Sequence, residues 1–304
     1  MNPPDKIVLE HAGALGDFLL AWPALAAVAR HFAGRTIVAA VRPAHSLWMA
    51  PLAGPCPPEL RRALDARFAG TLWPEALEGV LVVRPGLAKR PDVPDSPWFW
   101  FLRGLREGSV ASPRKLYADA LAAHGVPSLA DPAALFREHF GGHAPDGRTA
   151  LLFPGAGHPD KAWPLAKLEA LARALADRGL KPRFVLGPAE TERGTAPRTG
   201  DCLVPENLAA LSAAIRAARF VVGPDCGPMH LAALHGVPGV VLFGPTSPRQ
   251  WGPPGLRVVT AARPCAPCVA LTSGPFAPDC PRPLPCLDAI RVEDVLQALA
   301  PWLV

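Results

Sequence analysis

The order of short apolar strands and amphipathic helices is the feature that most restricts the fold of this chain. KIVLE at 6–10 leads through a glycine-containing turn into a helical pattern, and TALLF at 149–153 starts a second series of the same kind. Strands that alternate with helices in this way favour parallel sheets. The predicted strands are 6–10, 36–41, 80–83, 149–153, 183–187, 219–223 and 239–243. The predicted helices are 17–33, 113–124, 132–140, 164–179, 206–217, 228–235 and 292–303.

The chain of 304 residues is long enough for two domains. GGHAPDGR at 141–148 is short, polar and rich in turn formers, so we expect it to link them. This predicts one Rossmann-like domain at 1–144 and another at 145–304. The carboxyl edges of the two sheets would face a central cleft, and open parallel sheets bind ligands at that edge.

The net charge of +5 and the pI of about 9.0 favour an anionic partner, such as a phosphorylated small molecule, a nucleic acid or an acidic membrane. Nucleic acid is disfavoured because Lys and Arg form no run and the chain has a single tyrosine. The start of the chain has no secretory pattern, and its longest apolar stretch, 14–32, is interrupted by Asp17 and Pro23. We therefore expect a cytoplasmic protein.

The turn HAGALGDF at 11–18 follows the first strand. Gly13 and Gly16 permit a tight turn, and the next helix offers N–H groups at its start. Asp17 lies at that helix start, where an acid caps the helix and suits its dipole. The alternative is a carboxylate that points into the cleft as a general base, although the turn alone favours the cap.

The turn FPGAGHPDKAWP at 153–164 follows a strand of the second series. Lys161 lies just before the helix that Pro164 starts, and a cation is unfavourable at that end of the helix dipole. A phosphate would compensate this lysine, which would act as a point charge. The equally weighted alternative is a solvated lysine above a packed Trp163.

Two acids follow the next strand, in LGPAETERG at 186–194. Glu190 or Glu192 would accept hydrogen bonds from a ribose, as an acid beyond a parallel strand often does. Exposed acids at a helix start are the equally weighted alternative.

Two further strands end in turns, GPDCGP from Gly223 and GPTSP from Gly244. The backbone N–H groups of Cys226 and Gly227 would lie at the positive end of the following helix, and the turn that contains Thr246 would lie beside them. Two such turns side by side suit a diphosphate.

Asp225 lies within the first of these turns, and His230 follows it. We expect Asp225 to hold the loop or to accept from a sugar hydroxyl, because its charge repels a phosphate. His230 is interpreted first as a packed core residue and second as part of the binding site.

Four of the seven cysteines cluster late in the chain, at Cys265, Cys268, Cys280 and Cys286. Their spacing permits a tetrahedral zinc site or two disulfides, and a cytosolic setting favours metal or thiols. A zinc there would be structural. No catalytic metal and no cofactor are predicted.

These turns, in this order, resemble glycosyltransferase family 9, the heptosyltransferases of lipopolysaccharide core assembly. The matching stretches are ALGDFLLAWPALAAVARHF, FPGAGHPDKAWP, GPAETE and VVGPDCGPMHLAALHGVPGVVLFGPTSP. The resemblance implies a GT-B fold and an inverting sugar transfer without a metal. The donor would be a nucleotide sugar, typically ADP-heptose, and the acceptor a lipopolysaccharide-core or other cell-envelope glycan.

The resemblance also implies roles for these residues. Asp17 would deprotonate the acceptor, and Lys161 would stabilise the leaving diphosphate together with backbone N–H groups. The implied donor-binding set is Gly16, Lys161, Glu190 or Glu192, Asp225, Cys226, Gly227, His230 and Thr246. The chain departs from the family pattern at Glu10–His11, where many members carry an arginine, and at Cys226, where Ser or Thr is common.

Two other functions fit the same pattern: another nucleotide-sugar enzyme, such as an epimerase, and a non-catalytic nucleotide-sugar-binding protein. The aromatic cluster Trp98–Phe101 is expected on the acceptor side or at an anionic inner membrane, where a lipid-linked acceptor would lie. A core patch under a loop is an equal alternative for this cluster.

Overall fold

The structure is a computed structural model that describes residues 4–87, 90–192, 197–198, 200–268 and 286–303. The chain divides into two compact units, Met1–Pro132 and Ala133–Val304, here called the first and second unit. Each unit contains one parallel sheet flanked by helices, as the alternation of strands and helices predicts.

The sheet of the first unit has five parallel strands in the order β3-β2-β1-β4-β5. These are β1 Lys6–His11, β2 Thr36–Val41, β3 Gly54–Pro55, β4 Val80–Gly86 and β5 Phe99–Arg103. The helices are α1 Leu15–His31, α2 Pro58–Ala66 and α3 Pro113–Ala123. Val8 pairs with Val38 on one side and Val82 on the other, and all three are buried because helices cover the sheet.

Helix α1 begins at Leu15, two residues before the predicted start, and continues through Pro23. Nearly every side chain from Phe18 to Ala29 is buried, because the helix packs on the sheet and against α3. Asp17 is therefore in the first helical turn, and the N-cap position belongs to Ala14. An acid in that turn still meets the positive end of the helix dipole.

The sheet of the second unit has six parallel strands in the order β11-β10-β9-β6-β7-β8. They are β6 Thr149–Leu152, β7 Lys181–Val185, β8 Asp201–Leu203, β9 Phe220–Pro224, β10 Gly239–Phe243 and β11 Arg257–Thr260. The helices are α4 Pro132–Phe140, α5 Leu165–Ala176, α6 Pro188–Glu192, α7 Leu208–Ala217, α8 Gly227–His235, α9 Pro248–Trp251 and α10 Val292–Leu299.

Both sheets reverse their strand order at one point. In the first unit the chain places β2 on one side of β1 and β4 on the other, and in the second unit β7 and β9 lie on opposite sides of β6. The loops after the two central strands diverge there and leave a crevice at the carboxyl edge, where open parallel sheets bind ligands. The gaps between β1 and β4 and between β6 and β9 are therefore the candidate ligand-binding positions of the two sheets.

The segment 141–148 is bonded to the second unit. The backbone N–H groups of His143, Ala144 and Asp146 donate to carbonyls at the ends of α7 and α8, with N···O distances of 2.8–2.9 Å. The two compact units divide after Pro132, at the start of α4, and the whole of this segment belongs to the second unit. The roles assigned to domains 1–144 and 145–304 stay a prediction.

The predicted α/β fold of the GT-B class is confirmed, and the elements that sequence reasoning missed are mostly short or lie at sheet edges. The aromatic cluster Trp98–Phe101 enters edge strand β5, where Phe99 is buried and Trp100 stacks on His124 with ring centroids 4.0 Å apart. Contact of this cluster with a membrane or an acceptor stays a prediction. None of the helices in the described part of the chain is both long and apolar enough to cross a bilayer.

Candidate active site

Four turns of the second unit meet at one edge of its sheet. They follow β6, β7, β9 and β10, which are neighbours in the order β10-β9-β6-β7. Because all strands are parallel, their carboxyl ends lie at the same edge. The turns that the sequence analysis selected one by one are therefore brought together around the gap between β6 and β9.

An ion pair bridges that gap. Lys161, which follows β6, places its Nζ 3.0 Å from Oδ2 of Asp225, which follows β9. Thr246, which follows β10, donates its hydroxyl to the same oxygen at 3.0 Å. Asp225 and Thr246 are buried, and 19% of the Lys161 side chain is exposed. Asp225 thus compensates the charge of Lys161 within the protein, and the Lys161 side chain stays partly exposed.

The start of α8 lies next to this pair. Cys226 is the N-cap residue in an extended conformation, and its side chain makes no capping hydrogen bond. The first N–H groups of a helix have no intrahelical acceptor, so they are available to an anion. Burial, with further effects from neighbouring groups that include the Asp225 carboxylate, raises the pKa of the Cys226 thiol to about 12. The thiol is therefore protonated at neutral pH.

His230 lies one turn into α8 and is buried. Its Nε2 is 4.0 Å from Oδ1 of Asp225, whereas Lys161 contacts Oδ2 of the same carboxylate. The histidine thus packs behind Asp225.

The structure separates the two candidate acids after β7. Glu190 points inward, and its Oε2 accepts from the Gly187 N–H at 2.8 Å. The same carboxylate lies against Gly155 in the turn after β6, so close that a Cβ on Gly155 would be 1.6 Å from Oε1. Glu192 is exposed. Only Glu190 therefore joins the turn after β7 to the turn after β6.

Asp17 and His11 lie at the corresponding edge of the first unit. Gly16 and Asp17 are both half-buried in the first turn of α1. The Gly13 N–H donates to Nδ1 of His11 at 3.3 Å, which fixes the turn that leads to Asp17. Burial, followed by the charges of His45, Arg84 and Arg42, lowers the pKa of His11 to about 4, so its ring is neutral near pH 7.

Sequence reasoning missed a buried charge network at this edge. Glu10, at the end of β1, accepts from Nη2 of Arg67 with both oxygens, at 2.6 and 2.7 Å, and from Nη1 of Arg84 of β4 at 2.8 Å. Arg67 is fully buried and stacks on Phe68 with its guanidinium carbon 4.6 Å from the ring centroid. An acid at the buried end of an apolar strand was the available signal, because a buried carboxylate requires a cation.

The zinc alternative at the late cysteines is not supported, and Cys280 lies outside the described residues. Cys286 is buried in the core of the second unit, with its sulfur against Gly244, whereas Cys265 and Cys268 are exposed. In the described part of the chain, no three His, Cys, Asp or Glu side chains are grouped to hold a metal.

The model of glycosyltransferase family 9 (heptosyltransferase) matches residues 122–274, about half of the sequence. A curated relative, lipopolysaccharide heptosyltransferase 1 of Pseudomonas aeruginosa, is 33% identical over 171 residues, which are 54% of this chain and 48% of the relative. The chain thus spans about half the length of the curated relatives it matches. The sequence-based assignment is confirmed: this chain belongs to glycosyltransferase family 9.

Solved structures extend the likeness in fold to nearly the whole chain. A family 9 glycosyltransferase from Veillonella parvula has a TM-score of 0.67 at 19% identity, covering 98% of this chain and 97% of its own. The Escherichia coli heptosyltransferase WaaC, solved with ADP, has a TM-score of 0.64 at 18% identity, covering 98% and 99%. At these identities the comparison shows the fold.

Proposed function

We propose that this protein is an inverting glycosyltransferase that moves a heptosyl group from an ADP-sugar to a hydroxyl of a lipopolysaccharide-core or other cell-envelope glycan. Family membership supports the class of reaction. The observation that carries the proposal is the Lys161–Asp225–Thr246 cluster, which lies at the strand-order reversal of the second sheet beside the start of α8. A cation and free helix N–H groups at such a crevice suit a diphosphate.

In this proposal the second unit holds the donor. Lys161 and the N–H groups at Cys226 and Gly227 bind the diphosphate, while Asp225 fixes the direction of the lysine side chain. Glu190 accepts from the ribose, because it faces the turn after β6 whereas Glu192 is exposed. His230 supports Asp225 from behind.

The first unit provides the base. The Asp17 carboxylate takes the proton of the acceptor hydroxyl as that oxygen attacks the anomeric carbon of the donor. The bond from this carbon to the diphosphate oxygen breaks, and the nucleoside diphosphate leaves with the electron pair. Attack from the opposite face inverts the anomeric centre. Charge grows on the leaving diphosphate, so Lys161 and the helix N–H groups stabilise the transition state more than the ground state.

The base assignment is tested with Asp17→Asn, which keeps the shape and removes the basicity. We expect transfer to fall about 100-fold or more, since general-base catalysis contributes about 10²–10⁴-fold. Affinity for ADP by calorimetry should change no more than a few-fold. Asp119→Asn, at an exposed acid on α3, is the matched control. If Asp17→Asn transfers sugar at the wild-type rate, the base is wrong; if the wild type binds ADP-sugars but transfers none, the protein is a binder or an epimerase-like enzyme.

The donor assignment is tested with Lys161→Ala. Loss of a charge-assisted contact should weaken ADP binding about 10- to 100-fold. Lys181→Ala is the matched control, because Lys181 is exposed at the start of β7, on the opposite edge of the same sheet. Equal ADP affinities of the two variants would contradict the diphosphate site.

A further inference from the structure

Tyr117 is the single tyrosine of the chain, and its hydroxyl has an unusual environment. The side chain lies on α3 and is fully buried, yet its hydroxyl makes no hydrogen bond with any described residue. Buried hydroxyl groups are normally paired, and phenylalanine would fill the same space without a polar atom. The hydroxyl therefore calls for an explanation beyond packing.

The end of β5 is shaped to receive this hydroxyl. Gly104 directly follows β5, and a Cβ there would lie 2.5 Å from the tyrosine oxygen and 2.7 Å from Cζ. The Gly104 N–H donates to the carbonyl of Gly86 at 2.8 Å, so this glycine continues the ladder between β4 and β5 at their carboxyl ends. The hydroxyl thus lies at the carboxyl edge of the sheet, the same edge at which the turn after β1 leads to Asp17.

Asp17 is a charged group on the helix that packs against α3. Helix α3 packs against α1, whose first turn contains Asp17. Burial, and after it the charge of Asp17, raises the pKa of Tyr117 well above its ordinary value. The phenol therefore keeps its proton throughout the working pH range and remains a neutral donor.

We propose that Tyr117 is a positioning residue for Asp17: when an acceptor sugar is bound, the Tyr117 hydroxyl donates a hydrogen bond to the Asp17 carboxylate and keeps it oriented and ionised. The inference rests on the proposed role of Asp17 as the base. Catalytic hydrogen bonds are often long in a free enzyme and shorten in the complex. A donor to the charged form stabilises a carboxylate in that form, so the hydroxyl favours the base over its protonated state.

Other charged or titratable groups on the elements around α1 could also change the pH dependence of transfer, so the tests must distinguish them from Tyr117. They are Glu10, His11, Arg42, His45, Arg84 and Arg114. Burial lowers the pKa of both histidines to about 4, so they are neutral above that pH.

The first test is the pH profile of transfer by Tyr117→Phe. We expect kcat/KM near neutral pH to fall and the acidic limb of the profile to move up by about one pH unit, because the ionised carboxylate loses a donor. The midpoint of thermal unfolding should stay the same or rise, since an unpaired buried hydroxyl is removed. If the acidic limb of the pH profile and the kcat/KM of Tyr117→Phe equal those of the wild type, the proposal is wrong and Tyr117 serves only in packing.

The second test does not need transfer activity. Tyrosine labelled with 13C at Cζ gives one signal in the full-length protein, because the chain has one tyrosine. We expect its shift to titrate with an acidic group, the step to vanish in Asp17→Asn and to persist in His45→Gln. A step that survives Asp17→Asn would overturn the inference. If no sugar is transferred but the step depends on Asp17, the proposed function fails and the coupling stands.

Discussion

Removal of the Glu10 carboxylate should destabilise the first unit far more than removal of a surface acid. Arg67 is 0% exposed, and Glu10 receives two hydrogen bonds from its Nη2 at 2.6 and 2.7 Å. The Nε and Nη1 atoms of Arg67 make no hydrogen bond with a described residue. Glu10→Ala therefore leaves a buried guanidinium without the carboxylate that compensates it.

The cost follows from this burial. Loss of one partner of a buried ion pair costs about 3–5 kcal/mol, because the remaining charge stays desolvated. For a protein of this size that corresponds to a decrease in Tm of about 10 °C. The matched control is Asp119→Ala on α3, where Lys115 and Asp119 are 66% and 57% exposed. An exposed pair four residues apart on a helix contributes only about 0.3–0.5 kcal/mol.

The assay is urea and thermal unfolding of the full chain, with hydrogen exchange of the β1 amides to report on the first unit separately. The double variant Glu10→Met with Arg67→Met should regain most of the loss, since neither charge is then left buried. Two results would refute the reasoning: a Tm for Glu10→Ala equal to that of Asp119→Ala, or a double variant whose loss equals the sum of the two single losses.

Two further predictions concern the second unit. Burial lowers the pKa of His235 from 6.5 to about 4, so its contribution to stability is complete above pH 6.5 and is lost as the pH falls towards 4, by up to about 3 kcal/mol. Because His11 and His45 have similarly lowered pKa values, urea midpoints at pH 7 and 4.5 should show a loss of stability in both the wild type and His235→Gln, with a smaller loss in the variant. Equal losses in both would contradict the prediction. Gly155→Ala should displace the Glu190 carboxylate and destabilise the unit by about 1–3 kcal/mol, because the new Cβ would overlap it. Gly157→Ala, where a Cβ meets nothing within 4 Å, is the control, and the double variant with Glu190→Ala should relieve the clash in thermal unfolding.

Local sequence patterns were sufficient to predict most of the helices and strands and the turns that form the candidate site. The strands Thr36–Val41 and Gly239–Phe243 have the predicted bounds, because uninterrupted apolar runs between turn formers identify buried strands. Edge strand Phe99–Arg103 was missed, since its neighbourhood is rich in proline and its side chains are only partly buried. Very short pieces such as Gly54–Pro55 carry too few residues for a periodic signal.

The candidate site was predictable as a set of turns and not as a set of contacts. The sequence selected Lys161 and Asp225 separately, and their ion pair joins residues 64 positions apart. It gave Glu190 and Glu192 equal weight as ribose-binding candidates, although the structure places the partly buried Glu190 against Gly155 and leaves Glu192 exposed. Its spacing argument also allowed a zinc site at the late cysteines, whereas those that the structure describes are thiols.

The sequence by itself determined where strands, helices and turns occur and that glycine-rich turns end the strands, because periodicity, glycine and proline act within a few residues. It also identified the family through the order of those turns. Only the tertiary structure decided which turns are neighbours, that Arg67 compensates Glu10 from 57 positions away, and that Tyr117 faces the edge that carries Asp17. Such contacts depend on the order of strands in a sheet and on the packing of helices over it, and no local pattern encodes either.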